Sequence, residues 1–269
     1  MDRSVIVPVC PLFDKPQEGA ERVDELLWGW PALELERRPD GWVKVLTHYR
    51  YKGWARAEQL ERAEGWAPDC VVSRSFADLL AGPTVQAPVM ATLPRGALVL
   101  GCPAGAEEGW RQVTLCDGRH GWMRESALAP YFPSPPACPP EELGRRVCQS
   151  ALSYLGTQYR WGGKTPWGID CSGLVFMAWF LNGVCLFRDA RMEPGFPARP
   201  IPFEARRPGD LLYFPGHVAL YLGEDRFVHS TAKAGSDGVV INSLSPHAPD
   251  FRQDLKESLL AVGSVLPAP

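Results

Sequence analysis

The sequence predicts an α+β protein in which two small β-rich modules precede a larger mixed domain. Three observations lead to this fold class: a Gly-Trp pattern that occurs twice in the first half, a proline-rich stretch, and a helix followed by strands after that stretch. The chain has 269 residues, of which 45% are hydrophobic and 22% charged. This composition is typical of a folded protein and excludes wholesale disorder.

An internal repeat defines the first half of the chain. Residues 41–60 and 109–128 each contain two Gly-Trp pairs 12 residues apart, and a leucine follows 7 residues after the second glycine. Short apolar stretches at residues 32–35 and 97–100 precede the two copies. Each copy therefore indicates a module of about 60 residues built from short strands and glycine turns.

Proline marks the boundary between the two halves. Residues 131–140 contain five prolines, a density that neither a helix nor a central strand tolerates. We therefore expect an extended linker between β-rich and mixed segments. The predicted domains are a first module at 1–66, a second module at 67–131, a linker at 132–140 and the mixed domain at 141–269.

Helical spacing replaces the short strands after the linker. Apolar positions predict a helix over residues 141–155, with two acidic residues at its start and Gly156 at its end. A second helix of about three turns is expected between Asp170, a good N-cap, and Gly183. Strands are predicted at 210–214, 217–222, 226–231 and 238–242.

The second helix begins with a cysteine. Cys171 lies on its first turn, where unpaired N–H groups and the helix dipole favour a thiolate. A thiolate is the nucleophile of cysteine acyl transfer, so this position indicates a catalytic cysteine. The alternative is a buried, unreactive cysteine.

Two histidines are predicted to meet on a hairpin. A turn at residues 223–225 would place residue 222 opposite 226 and residue 219 opposite 229, so that His217 and His229 become diagonal neighbours on one face, about 7–8 Å apart at Cα. His217 would then accept the thiol proton, and His229 would hold its ring in one tautomer. The alternative is a pair of exposed strand histidines.

Charge and composition exclude several other classes. The net charge of −3 argues against a nucleic-acid-binding protein, and no apolar run reaches the length of about 20 residues that crosses a membrane. The chain does not begin with a basic stretch followed by an apolar block, which favours a cytoplasmic location; a trimmed chain would also allow the periplasm or the exterior. Eight scattered cysteines without a Cys-x-x-Cys pair favour free thiols and no zinc site.

Motifs in the second half resemble those of the NlpC/P60 cell-wall cysteine peptidases, papain-like enzymes that cut the peptide stems of peptidoglycan. The matching segments are residues 154–163, 170–174, 207–214, 216–223 and 228–230. The resemblance implies a papain-like domain in which Cys171 is the nucleophile, His217 the base and His229 the third catalytic residue. It also implies that Tyr159, Asp170 and Ser172 line the substrate-binding cleft.

The two β-modules resemble bacterial SH3-type barrels, whose final Gly-Trp-x-x-x-x-x-Leu both copies match. The alternative is two β-modules of no particular family. Two such barrels before a peptidase resemble a subgroup of γ-D-glutamyl-L-diamino acid endopeptidases, which act on stem peptides with a free N-terminal L-Ala. In that subgroup an aspartate and a tyrosine hold the substrate amine. These roles fall on Asp189 and on Tyr51, with Tyr49 as the competitor, whereas Trp30 replaces a glutamate that is common there.

The resemblance implies hydrolysis of the bond between γ-D-Glu and the diamino acid of muropeptides, in cell-wall recycling or turnover. We expect a monomer with no metal, no organic cofactor and no nucleic-acid or membrane partner. Two alternatives stay open: an amidase or acyl transferase with the same triad, and a cell-wall binding protein with an inactive peptidase domain. At single residues, Asp189 could be a helix cap or salt-bridge residue, and Tyr51 a surface aromatic. The sequence leaves the diamino acid, meso-diaminopimelate or lysine, undetermined.

Overall fold

A computed structural model of the protein describes residues 2–267, apart from the side chains of residues 103–106. Its internal contacts divide the chain into two compact units, Met1–Tyr131 and Phe132–Pro269. Within residues 2–267, no helix combines the length and the apolar content that crossing a bilayer requires. All eight cysteines are free thiols.

The first unit contains two antiparallel sheets of seven strands each. The first sheet consists of β1 (Asp2–Val5), β2 (Val9–Phe13), β3 (Arg22–Leu27), β4 (Pro31–Arg37), β5 (Trp42–Thr47), β6 (Lys52–Arg56) and β7 (Leu60–Glu61). The second sheet consists of β8 (Cys70–Val72), β9 (Phe76–Leu80), β10 (Val89–Pro94), β11 (Leu98–Glu107), β12 (Trp110–Thr114), β13 (His120–Arg124) and β14 (Leu128–Pro130).

The strand order of the two sheets is the same. It runs β3-β2-β6-β5-β4-β1-β7 in the first sheet and β10-β9-β13-β12-β11-β8-β14 in the second. The internal repeat in the sequence is therefore also a repeat of topology. Among residues 2–131, no strand pairing closes either sheet into a barrel, so the barrel part of the SH3-type prediction is not confirmed.

Packing explains the repeated Gly-Trp pairs. A Cβ atom at Gly53 would lie 2.8 Å from Cβ of Leu12, and one at Gly121 would lie 2.7 Å from the side chain of Leu79. Both positions therefore admit only glycine where two strands cross closely. The first tryptophan of each copy carries an arginine on its ring: Arg56 on Trp42 at 4.1 Å and Arg124 on Trp110 at 4.0 Å.

The two sheets of the first unit are joined through the turn after β3. Trp28 packs into the core of the second sheet, and its carbonyl accepts a 2.9 Å hydrogen bond from the N–H of Leu98. The indole N–H of Trp30, a fully buried residue, donates to the carbonyl of Gly96 at 2.8 Å. Between them, Gly29 has a positive φ of 74°, and a Cβ there would lie 2.6 Å from the carbonyl oxygen of Leu98. The tryptophan in place of the subgroup's glutamate is thus a structural residue in this chain.

The second unit is a mixed α+β domain. Its helices are α1 (Pro140–Leu152), α2 (Cys171–Phe180) and α3 (Gln253–Glu257), and β15 (Lys164–Thr165) and β16 (Gly168–Ile169) form a small hairpin. The main antiparallel sheet consists of β17 (Arg199–Ile201), β18 (Leu211–Phe214), β19 (His217–Gly223), β20 (Arg226–Thr231), β21 (Gly238–Ser243) and β22 (Ala261–Ser264). Its strand order is β17-β22-β18-β19-β20-β21, and α2 packs against α1, β19 and β20.

The hairpin of β19 and β20 has the predicted register but a shorter turn. Leu220 lies opposite Val228, as predicted. Gly223 pairs with Arg226, however, so the turn contains only residues 224 and 225, which have φ values of 51° and 58°. The prediction that residue 222 faces residue 226 is wrong because an irregularity before Gly223 absorbs one residue.

Candidate active site

Cys171 is the first residue of α2, and only 6% of its surface is exposed. Its sulfur lies beside the backbone N–H of Val218, in β19, so α2 and β19 meet at the thiol. Burial, together with the negative charge of Asp170, raises the pKa of this thiol to about 11, although the N–H groups of Val218 and Ser172 lower it. The sequence favoured a thiolate from the helix start alone. Burial opposes that effect, and the protonation state of Cys171 stays a prediction.

The two predicted histidines lie next to each other. Nε2 of His217 is 2.8 Å from Nδ1 of His229, and the two rings meet edge to face. Since His217 directly precedes Val218, the histidine pair begins at the strand end that contacts the thiol. The sequence prediction that they are neighbours on one face is confirmed, and the alternative of two exposed strand histidines is excluded because His229 is fully buried.

Both imidazoles are neutral at neutral pH. Burial lowers the pKa of His217 to about 4 and that of His229 to about 3. The charge of Arg252 lowers both pKa values further, and that of Asp254 raises them. A neutral imidazole has one nitrogen with a free lone pair, which is what a general base needs.

The start of α2 is held by a buried ion pair. The carboxylate of Asp170 caps the helix, accepting the N–H of Gly173 at 2.6 Å, and it also accepts the N–H of Gly162 at 2.9 Å. Arg188, 2% exposed, binds both carboxylate oxygens, at 3.0 and 2.8 Å, and donates to the hydroxyl of Ser172 at 2.7 Å. In the structure, Asp170 and Ser172 are thus bound to the chain itself, and their predicted contact with substrate stays a prediction. Sequence reasoning missed Arg188, although it singled out the next residue, Asp189.

Tyr159 lies close to the nucleophile. Burial raises the pKa of its phenol, and the charges of Cys171 and Asp170 raise it further. Its backbone forms a bridge to Ile169, in the segment that leads into α2. Tyr159 is thus held next to the segment that leads to Cys171, and its predicted contact with substrate stays a prediction.

A small pocket adjoins the start of α2. Ser172, the residue after Cys171, and Val218 line it together with three charged side chains, Asp189, Arg191 and Glu193. The Asp189 side chain is 39% exposed and lies 3.5 Å from the guanidinium of Arg191. Arg191 also pairs with Glu193 at 3.0 Å, so the guanidinium contacts both carboxylates of the pocket. The structure thus shows Asp189 in a salt bridge, and its predicted contact with a substrate amine stays a prediction.

The two candidate tyrosines belong to the first unit. The phenol of Tyr49, which is buried, donates to the carboxylate of Asp24 at 2.5 Å. Tyr51 is half-buried, and its backbone N–H donates to the hydroxyl of Thr47 at 2.9 Å. The role predicted for Tyr51 stays a prediction.

Comparisons with known proteins agree with this site. Residues 156–252 match the profile of the NlpC/P60 family. Dipeptidyl-peptidase 6 of Lysinibacillus sphaericus is 39% identical over 273 residues, which cover 98% of this chain and all of that protein. A γ-D-glutamyl-L-lysine dipeptidyl-peptidase of Bacillus subtilis is 28% identical over 132 residues, covering 46% of this chain and 42% of the relative. The crystal structure of an NlpC/P60 family protein from Bacillus cereus has a TM-score of 0.81 over 99% of this chain and 100% of its own, at 19% identity, so the fold is shared.

Proposed function

Because the chain belongs to the NlpC/P60 family, we propose that it is a cysteine peptidase that hydrolyses the bond between γ-D-Glu and the diamino acid of peptidoglycan stem peptides. The observation that carries the proposal is the thiol of Cys171 at the start of α2, beside the strand that begins with the His217–His229 pair. The names of relatives, dipeptidyl-peptidase 6 and γ-D-glutamyl-L-lysine dipeptidyl-peptidase, support release of a dipeptide.

The proposed reaction uses the neutral thiol and imidazole. As the sulfur of Cys171 attacks the γ-carbonyl carbon of D-Glu, His217 takes the thiol proton. N–H groups at the helix start stabilise the oxyanion of the tetrahedral intermediate. His217 then gives its proton to the diamino acid nitrogen as the C–N bond breaks, leaving a thioester. Water, deprotonated by His217, attacks the thioester and releases L-Ala-γ-D-Glu with the free thiol.

Asp189 supplies the proposed specificity for a free N-terminal amine. Its carboxylate lies in a pocket that is also lined by Ser172, the residue after Cys171, and by Val218. Glu193 adds a second carboxylate, and Arg191 pairs with both. An ammonium group bound there would form a charge-assisted hydrogen bond that an acetylated N-terminus cannot form. A free N-terminal amine is present only on stem peptides already released from the glycan, which supports a role in turnover or recycling rather than in cutting intact wall. Tyr51 is proposed as a second contact for the amine, and only the family resemblance supports this role.

Residues 1–66 and 67–131 are proposed to be two SH3-type modules. The repeated Gly-Trp pattern and the identical strand order of the two sheets support this assignment. The topology and the repeat concern fold, and neither assigns the modules a ligand.

A synthetic tripeptide tests the proposal. L-Ala-γ-D-Glu-diamino acid, with diaminopimelate or lysine and with a free or acetylated N-terminus, is incubated with the enzyme, and products are identified by mass spectrometry with and without an added amine acceptor. We expect L-Ala-γ-D-Glu from the free-amine peptides and no acceptor adduct, whereas Cys171→Ala should release nothing. Cys148→Ala is the matched control, because Cys148 is equally buried in the second unit but lies in α1.

The same assay tests the amine pocket. Asp189→Asn should raise KM for the free-amine tripeptide by about 10-fold, roughly the value of one hydrogen bond to a charged group, and leave the slow hydrolysis of the acetylated peptide unchanged. Asp237→Asn, at an exposed aspartate, should change neither. Full activity of Cys171→Ala, or cleavage at another bond, would contradict the assignment. Equal KM values for Asp189→Asn and the wild type would remove the specificity claim.

A further inference from the structure

The histidine pair continues into a third side chain. Nε2 of His229 lies 2.9 Å from the side-chain oxygen of Asn242, and the side-chain nitrogen of Asn242 lies 3.2 Å from the carbonyl oxygen of Asp250. In the sheet, Asn242 pairs with Phe227, two residues before His229. Three neighbouring strands, β19, β20 and β21, thus present His217, His229 and Asn242 as one connected row.

The Asp250 carbonyl at the end of this row fixes which group donates and which accepts in each hydrogen bond. The carbonyl of Asp250 can only accept, so the amide of Asn242 must turn its NH₂ group towards it. Its oxygen then faces His229 and can only accept, which places the His229 proton on Nε2. Nδ1 of a neutral His229 is therefore an acceptor for Nε2–H of His217, and Nδ1 of His217 is left with a free lone pair.

The direction of these hydrogen bonds determines the His229 tautomer because the ring is buried. His229 is fully buried, so it cannot exchange its partner for water. The titratable and charged groups that act on it are His217, its hydrogen-bond partner, and Arg252 and Asp254 at the start of α3, which form none of its hydrogen bonds. If His229 carried its proton on Nδ1, it would donate to His217, and His217 would present an N–H instead of a lone pair on its other nitrogen.

We propose that Asn242 is a positioning residue that fixes His229 in its Nε2–H tautomer and so leaves Nδ1 of His217 free to take the thiol proton of Cys171. This inference rests on the proposed peptidase reaction and extends it by a fourth residue. Asn242 touches neither substrate nor the reacting atoms, so its effect passes through the two rings.

Two variants separate this role from packing. Asn242→Leu keeps the approximate volume but removes the acceptor, whereas Asn242→Asp keeps an acceptor for His229 and loses the bond to Asp250. On the free-amine tripeptide, Asn242→Leu should lower kcat by about 10²-fold or more, the usual value of a positioned general base, with little change in KM. Asn242→Asp should retain more of kcat than Asn242→Leu. Its added negative charge should also raise the pKa of His229 and shift the acid limb of the pH profile upward.

Nitrogen-15 NMR of histidine-labelled protein gives a readout independent of substrate. Wild-type His229 should show a protonated Nε2, and Asn242→Leu should shift the population towards Nδ1–H. Asn182→Ala is the control: it removes two hydrogen bonds of another buried asparagine, at the end of α2, and should lower the melting temperature without moving the histidine signals.

The proposal is overturned if Asn242→Leu keeps kcat within about 3-fold of the wild type, or if kcat falls while the His229 tautomer is unchanged. Should the wild type itself fail to cleave the tripeptide, the proposed function fails, while the NMR spectra still decide whether Asn242 sets the tautomer.

Discussion

At the scale of single residues, burial shifts the protonation of the reacting groups. The pKa of Cys171 is raised to about 11 and that of His217 lowered to about 4, both chiefly by burial. Burial thus favours a neutral thiol and a neutral imidazole. In the proposed reaction the thiol proton moves to His217 as the sulfur attacks the carbonyl.

The buried histidines also make stability depend on pH. Folded His217 and His229 bind a proton only near pH 4 and 3, whereas in the unfolded chain they do so at about 6.5. The unfolded state therefore binds more protons below about pH 6.5, and the free energy of unfolding falls as pH decreases from there towards the folded pKa values. Urea unfolding between about pH 7 and 5, above the range of most carboxylates, should show this loss. A variant with glutamine at both positions should have a flatter profile, and an unchanged slope would show that the histidines are not the cause.

Part of the site could be predicted at this scale. Strand alternation and a short turn were enough to place His217 beside His229, and a capped helix start was enough to single out Cys171. Asn242 and Arg188 lie far from these motifs in the chain and carry no local pattern, since only the folded sheet brings them in. The helix start indicated a thiolate, but a sequence does not show how deeply a helix start is buried, and that burial raises the pKa of Cys171.

At the scale of elements, the nucleophile helix depends on one buried ion pair. Asp170 caps α2 and shares both oxygens with Arg188, so neither charge is solvated. Removing one partner leaves the other charge buried without compensation, which is costlier than removing both.

Arg188→Met should therefore lower the free energy of unfolding by about 3–5 kcal/mol and reduce activity, because the position of Cys171 depends on the same cap. Adding Asp170→Asn should recover part of that stability. Arg145→Met is the control, since Arg145 pairs with Glu142 on the exposed face of α1 and should cost less than about 1 kcal/mol. Urea denaturation measures all of these variants; equal losses for Arg188→Met and Arg145→Met would refute the argument.

Elements differ in how well the sequence shows them. The helices at α1 and α2 and the strands β18 to β21 begin within one residue of their predicted positions. β17, β22 and α3 were missed because their segments have no periodicity: β17 is Arg-Pro-Ile, and β22 contains Gly263, where a Cβ would lie 2.8 Å from the ring of Tyr213. Packing against neighbouring segments determines the structure of these elements, and the spacing of apolar residues in the sequence does not reveal that packing.

At the scale of the whole molecule, the sequence showed the repeat and the linker. It did not show that the two repeats form one compact unit. The chain divides between Tyr131 and Phe132, and both sheets of the first half fall in one unit. Trp28, Gly29 and Trp30 make contacts between these sheets, and the thiol of Cys116 adds a hydrogen bond to the carbonyl of Val5. In the sequence, residues 28–30 indicate only a turn within the first module and give no sign of a contact with the second sheet.

We therefore expect residues 2–130 to unfold as one cooperative unit. Gly29→Ala would place a Cβ against the carbonyl of Leu98 and should raise amide hydrogen exchange in both sheets together. Gly19→Ala is the control, because Gly19 has the same φ, near 75°, but nothing within 4 Å of its Cβ position. It should cost only the strain of the backbone, of order 1 kcal/mol. Faster exchange confined to the first sheet in Gly29→Ala would show that the two sheets unfold separately.

The depth of the sulfur has one more consequence. Peroxides oxidise thiolates, and they do so fastest at exposed, low-pKa cysteines. Cys171 is buried, and burial raises the pKa of its thiol. The enzyme should thus withstand oxidative stress while idle and become vulnerable mainly during turnover, when the proton leaves the sulfur.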